Sequence, residues 1–534
     1  MASFSDVPQC MANVSCAYNR SMKKKFDGLE LILFGCCLLL FAGFCLTKMK
    51  LDGEAEKGGE SSVQNFSGVS GELSQEELVL REQEEYTQKH VAEDDTEAQE
   101  TSEPEARNTV SGNTAAQKEA ESAEAQGASS EKPNIRVLIK TTDFAGYFHD
   151  RLVLKGNSPL HLNGDTYVAG AGEAVEITQD SQWFQNGCIV IRPENTEAGI
   201  SVENLERAQG VPVYEGTFEI YQGSNGLVLV NELPLETYLK YVVPSEMPAS
   251  YAQEALKAQA VCARTYACRQ MRNNSLSDYH AQVDDSVSYQ VYNNTRRQDS
   301  TDQAVDATAG EILTCGGEPI TAYFFSTSSG HTSTDEVWDS SSDETYLESV
   351  YLGEDAAPDI STEEAFASFI TTKDENSYEA EDGWYRWQVT LPIDYLNSRI
   401  EKYGIGTLSS IQVVKRSSGG AIETLTIHGT SGSKTLTSEY EIREVLSTKG
   451  YPILKNDGKT TTEMTLMPSA YFICHPVTEN GTVTGYQFQG GGYGHGVGMS
   501  QNGAAHMAEQ GKTYEEILHF FYANVELTST AFAE

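Results

Sequence analysis

The chain has 534 residues, of which 78 are Asp or Glu and 37 are Lys or Arg, giving a formal net charge of −41. That length allows two or three domains, and the acidic balance, with no basic stripe beyond the N-terminus, argues against a nucleic-acid partner. Acidity also disfavours adhesion to an anionic bilayer, so residence near a membrane requires a covalent tether.

A tether is the first element in chain order. Residues 31–46 carry no charge and lie near the short end of a spanning helix, for which about 17 residues is the usual minimum. Arg20, Lys23, Lys24 and Lys25 precede this run, and only Lys48 and Lys50 closely follow it. The positive-inside rule therefore predicts a cytoplasmic tail over 1–28, one transmembrane anchor over 29–49 and an extracytoplasmic remainder, a single-pass protein of the cell membrane. A cleaved signal peptide is the competing reading, but Thr47-Lys48-Met49-Lys50 makes a poor cleavage site. Residues 50–133 are rich in Glu, Gln, Ser, Ala and Gly with very few aromatics, which predicts a disordered acidic linker.

Folded structure is expected over 134–530. A β-type run at 134–140 opens it, and residues 214–220 and 226–230 read as neighbouring strands. Ser250 and Gln253 have capping-box spacing ahead of an Ala-rich helix. A polar, helix-tending stretch at 357–403, with Trp384 and Trp387, is a candidate helical insertion. Strands return at 411–414 and 421–427, and a helix over 512–522 closes the chain. The mixture predicts an α+β fold.

Of ten cysteines, Cys10, Cys16, Cys36, Cys37 and Cys45 lie in or before the apolar run. Cys188, Cys262, Cys268, Cys315 and Cys474 lie beyond it, an odd number without a CxxC pair, which reads as thiols serving as small apolar residues.

Three clusters could carry chemistry. In the first, Pro244-Ser245-Glu246-Met247-Pro248 puts a carboxylate in a tight loop before the Ala-rich helix, as a general acid/base would be placed. Lys257 and Arg264, seven residues apart on that helix, share a face and lie about 10 Å apart along it. They could orient Glu246, or pair with Glu254 and neighbouring acids as ordinary helix-surface ions. In the second cluster, an apolar strand ends in Ser326-Thr327-Ser328-Ser329-Gly330-His331, a hydroxyl-rich lining suited to a polar substrate groove. The third, 490–504, is glycine-rich with His495 and Gln501 as its polar side chains, and its glycines permit close backbone approach and positive φ.

Together the clusters resemble the SpoIID/LytB family of peptidoglycan-acting proteins. Ser245-Glu246-Met247-Pro248 is similar to the family's SEMP segment, Glu254 to Thr265 to its EALKAQAVAART helix with Cys262 replacing an alanine, and Gly494 to Gln501 to its GHGVGMSQ block. The resemblance implies a lytic transglycosylase that cleaves the bond between N-acetylmuramic acid and N-acetylglucosamine and leaves a 1,6-anhydro end, in sporulation and engulfment or in wall remodelling. It implies Glu246 as the catalytic group and Lys257, Arg264, Ser329, His331, His495 and Gln501 as substrate-binding residues. Peptidoglycan glycan strands are the implied substrate, with a sporulation amidase and engulfment membrane proteins as implied partners. The rival implication is a non-catalytic wall-binding module that stimulates a partner amidase. Some members hold zinc with one histidine and two cysteines, but here the matching segment keeps His280 and has no cysteine, so no metal and no cofactor are expected.

Overall fold

The computed structural model describes residues 133–142, 144–338 and 344–529. The tail over 1–28, the anchor over 29–49 and the linker over 50–133, Pro133 apart, lie outside the described residues. No helix among the described residues is long and apolar enough to cross a membrane.

Helices and sheets mix in the α+β manner. Eight α-helices are described: α1 (Leu235–Glu246), α2 (Gln253–Asn273), α3 (Asp299–Ala307), α4 (Glu363–Thr371), α5 (Ile393–Ile400), α6 (Glu439–Val445), α7 (Gln501–Glu509) and α8 (Tyr514–Phe521). The largest sheet has seven strands in the order Val283–Asp284, Asn134–Ile139, Gly226–Pro234, Thr217–Gly223, Cys188–Pro193, Leu160–Leu162 and Tyr167–Ala169. The expected hairpin at its centre pairs Gly226 with Gly223 and Val230 with Glu219. Its strands bury Ile135, Val137, Phe218, Ile220, Leu227 and Leu229, and burial of such side chains is the main force holding the sheet to the helices.

α2 runs through the first hydrophobic core. Ala255, Ala258, Ala260, Ala263 and Ala267 are all buried, and their small size lets neighbouring elements approach closely. The helix starts at Gln253 with Ala252 as its N-cap, so the capping box expected of Ser250 and Gln253 does not form. Its far end closes on Asn274 in the left-handed region at φ 53°, whose N–H donates to the Gln270 carbonyl at 3.0 Å.

A second core gathers Trp384, Trp387, Val389, Leu391, Leu425, Ile427, Phe472, Phe488 and Tyr493. The 357–403 stretch contributes α4, α5 and the strand Trp387–Pro392. That strand pairs with Thr482–Gly490 and Ile453–Lys455, so residues 387–392 belong to a sheet whose other strands come from 453–490 and are not part of a purely helical insertion. The expected strands near 411 and 421 pair antiparallel as Leu408–Arg416 and Ile422–Gly429.

One ion pair fixes α1 against α2. The Arg264 guanidinium is fully buried and bonds both oxygens of Glu236 at 2.8 Å, while its other N–H groups reach the carbonyls of Ala260, Val305 and Glu311. Lys257, by contrast, makes a half-exposed pair with Glu254 at 2.6 Å and lies over the Tyr514 ring. Removing one partner of a buried pair costs about 3–5 kcal/mol, whereas an exposed pair contributes less than about 1 kcal/mol. R264A should therefore lower the thermal midpoint sharply and K257A should barely move it; equal midpoints in the two variants contradict this assignment.

Candidate active site

Glu246 is the last residue of α1, not part of a loop. Pro244 sits inside the last turn of α1, where a missing N–H removes only one intrahelical bond, and the turn is closed from the side. Ser245 Oγ donates to the Tyr241 carbonyl at 2.7 Å, and the Met247 N–H caps the Val243 carbonyl at 2.9 Å.

These two adjacent side chains at the helix end gather the loop that follows Val283–Asp284. Glu246 Oε1 accepts the Val291 N–H at 2.6 Å. Ser245 Oγ accepts the N–H groups of Asn294 and Thr295 at 3.2 and 3.1 Å. The main-chain carbonyl of Glu246 accepts from Gln501 Nε2 at 2.9 Å, and Gln501 Nε2 is 3.5 Å from Gln259 Oε1 on α2. Glu246 is 2 % exposed, in surroundings that include Tyr238, whose hydroxyl is pushed well above its ordinary pKa by burial and then by the charge of Glu246. A carboxyl group excluded from bulk water and held by a backbone N–H is fixed in orientation, as proton transfer requires.

The second and third sequence clusters meet beside this helix end. Phe324–Phe325 pairs parallel with Met499–Ser500, placing Phe324 opposite Met499 and Phe325 opposite Ser500. The glycines explain the closeness: a Cβ on Gly498, at φ 77°, would stand 2.1 Å from the Tyr323 carbonyl oxygen. Ser500 Oγ accepts the Gly503 N–H at 3.3 Å and caps α7, so Gln501 opens a helix that the glycine-rich sequence concealed. Asn502 then bridges Thr327 Oγ1 at 3.0 Å and the Tyr251 hydroxyl.

Gln501 is thus an expected substrate-binding residue that the fold brings directly onto the main chain of Glu246. Arg264 is spent on Glu236, ten residues and about 15 Å back along α1 from Glu246, and is fully buried; its expected role toward glycan gives way to holding the helices together. Lys257 is an ordinary ion partner of Glu254, the alternative that its position on the helix surface left open.

Ser329 is fully buried and His331 is 6 % exposed, packed against the rings of Tyr351 and Phe369. Burial lowers the His331 pKa to about 4. Both therefore line the protein interior, not an open groove. His495 has both ring nitrogens engaged: Nε2 donates to the Phe324 carbonyl at 3.0 Å and Nδ1 accepts the Val497 N–H at 3.1 Å. It braces the glycine loop as a neutral ring, its pKa lowered to about 3 by burial and then by Arg443.

No group of three His, Cys, Asp or Glu side chains that could hold a metal ion is found among the described residues. His280, the histidine of the segment that matches the zinc-holding members, stacks on the Tyr221 ring with centroids 3.9 Å apart. The five cysteines beyond residue 50 are all free thiols, with Cys262 and Cys268 buried and pushed up to about 12 by burial. Sequence reasoning missed Ser245 as an anchor and the Val291 N–H as a partner of Glu246, because a backbone donor supplied from 45 residues away leaves no side-chain pattern.

The profile of the stage II sporulation protein family, SpoIID, matches residues 223–315, the segment that contains α1 and α2. A domain of unknown function matches residues 332–498, which contain the second core. The chain is 31% identical over 333 residues to an uncharacterized protein of Brachyspira hyodysenteriae, a match that covers 62% of this chain and 75% of that relative. It is 32% identical over 307 residues to the amidase enhancer of Bacillus subtilis, covering 54% of this chain and 40% of that longer protein. To stage II sporulation protein D of Bacillus subtilis it is 31% identical over 360 residues, covering 62% of this chain and 88% of that relative. With the SEMP glutamate, the Ala-rich helix and the glycine block joined at one place in the fold, the chain belongs to the SpoIID family.

Proposed function

We propose that this chain is a peptidoglycan lytic transglycosylase with Glu246 as its single catalytic acid/base, held at the cell membrane by an anchor over 29–49 with the folded domain outside. The observation that carries this reading is the Glu246 carboxyl group itself. It lies at a helix end, almost excluded from water, with one oxygen on the Val291 N–H and its main chain held by Gln501.

The reaction needs one carboxyl group, whereas ordinary glycosidases use a pair. Protonated Glu246 gives its proton to the glycosidic oxygen, and the bond from C1 of N-acetylmuramic acid to that oxygen breaks. The C6 hydroxyl of the same sugar attacks C1, and its proton passes to the Glu246 carboxylate. The acid form is restored, the 1,6-anhydro ring closes and no water is consumed. Burial at Glu246 suits this chemistry because a dry site keeps water from competing with the C6 hydroxyl.

The relatives named stage II sporulation protein D support a role in the cell wall during sporulation. Glycan strands are the proposed substrate, and a sporulation amidase and engulfment membrane proteins are the proposed partners. A second reading, a wall-binding module that stimulates an amidase, is favoured by the relative named amidase enhancer and by the diversion of Lys257 and Arg264 into ion pairs of their own.

The two readings separate on one variant. E246Q keeps the shape of the side chain, so its thermal midpoint should stay close to that of the parent while release of 1,6-anhydro glycan, followed by mass spectrometry, is lost. Undiminished release from folded E246Q contradicts the assignment, and amidase stimulation surviving in E246Q without any glycan cleavage by the parent favours the second reading. Q501A removes the hydrogen bond on the Glu246 carbonyl and should lower kcat about tenfold, the effect of about 1.4 kcal/mol in the transition state; an unchanged kcat shows that Gln501 does not position Glu246.

A further inference from the structure

Glu379 lies in Tyr378-Glu379-Ala380, between α4 and the strand Trp387–Pro392, where no sequence motif drew attention to it. It is fully buried. Its carboxyl group sits where the hydroxyl-rich strand end and the start of α7 come together. Ser500 Oγ donates to Oε1 at 2.6 Å, the Ser328 N–H reaches Oε1 and Oε2 at 3.0 and 3.2 Å, and the Ser328 hydroxyl donates to Oε2 in a short bond.

Each serine oxygen also accepts a backbone N–H, from Gly330 at 3.0 Å for Ser328 and from Gly503 at 3.3 Å for Ser500. Their hydroxyl protons are thereby left to point at Glu379, an arrangement that a carboxylate satisfies and a carboxylic acid does not.

We propose that Glu379 is a positioning residue: its carboxylate clasps Ser328 and Ser500, fixes the first turn of α7, and through Gln501 holds the main chain of Glu246 in place. The chain of contacts is short, since Ser500 and Gln501 are adjacent and Gln501 Nε2 bonds the Glu246 carbonyl. The inference rests on the glycan-cleaving reading of Glu246 for its effect on rate, and on geometry alone for its effect on the segment.

The clasp is sensitive to pH. Burial, and then the charge of Asp382, raises the Glu379 carboxyl to about 7, while its hydrogen bonds from Ser328 and Ser500 work in the opposite direction. The other groups that face it are Tyr385 from its own segment and His506 from α7. His506 is paired with Asp382 at 3.1 Å and has Glu509 at 3.5 Å on its second nitrogen. The hydrogen bond to Asp382 raises the His506 pKa to about 9, so it remains charged while Glu379 titrates. When Glu379 gains a proton it must donate to one of the two serines; Ser500 then turns its own proton to the Ser326 carbonyl, 3.3 Å away, and the clasp opens. Because the folded-state pKa is raised, the stability linked to this proton is full below the ordinary carboxylate range and is lost as pH rises through about 7. The closed clasp therefore costs some stability while it orders the site.

The test compares the full chain with E379Q in two measurements. In the first, kcat of the parent for glycan cleavage should rise between about pH 6 and about pH 8, and E379Q should flatten that limb and lower kcat about tenfold with KM within about twofold. E379D, which restores the charge, should recover part of the limb. In the second, amide hydrogen exchange at residues 500–503 should be about tenfold faster in E379Q, with exchange in 387–392 unchanged. A parent that cleaves glycan beside an E379Q with the parental kcat and pH profile overturns the inference and leaves the glycan-cleaving reading intact. If the parent cleaves no glycan, that reading fails, and exchange still decides: unchanged protection at 500–503 in E379Q overturns the clasp, and faster exchange supports it. Should E379Q not fold, the parent alone suffices, since protection at 500–503 that does not fall between about pH 8 and about pH 6, after correction for intrinsic exchange, overturns it.

Discussion

The C-terminal end of α1 is where the site is made. Ser245 and Glu246 turn two consecutive side chains toward the loop at 291–295 and accept three of its backbone N–H groups, while Gln501 takes the Glu246 carbonyl from the other side. Backbone donors are rigid and always in place, so a carboxyl group held this way keeps its orientation. Three distant stretches of sequence thus depend on the same few ångströms of backbone.

The surrounding fold holds that helix end still. The seven-stranded sheet feeds directly into α1 through Gly226–Pro234, and the buried pair of Arg264 with Glu236 ties the opposite end of α1 to α2. Glu379, from the segment between α4 and Trp387–Pro392, holds Ser500 of the strand Met499–Ser500, whose parallel pairing with Phe324–Phe325 delivers Ser500 and Gln501. A polar network at such a junction is strong only when every member has a partner, and the alternation of serine, carboxylate and backbone N–H from Gly330 to Gly503 meets that condition.

Much of this was legible in the sequence. The α+β mixture, the central hairpin, the Ala-rich helix and the strands near 411 and 421 announced themselves through period and turn residues, and the three clusters pointed to one family. The helical placement of Glu246 was hidden by Pro244, which reads as a loop residue but sits in the last turn. α7 was hidden by the glycines that precede and enter it. Seven-residue spacing correctly placed Lys257 and Arg264 on one helix, but spacing says nothing of which carboxylate lies opposite, and Glu236 and Glu254 claimed them. Ser329 and His331 looked like groove lining because hydroxyl and imidazole groups are polar, yet Ser329 is fully buried and α4 brings Phe369 over His331. Glu379 could not be found in sequence at all, since its partners come from residues 51 and 121 positions away.

Cleavage without water is the most direct consequence of the proposed chemistry, in which one carboxyl group acts on the sugar's own C6 hydroxyl. Digestion of peptidoglycan glycan strands in water enriched in oxygen-18, with the products weighed by mass spectrometry, examines it in one step. The account predicts 1,6-anhydro ends that carry none of the label. Reducing ends carrying one oxygen-18, or strands left intact by the folded protein, would contradict it.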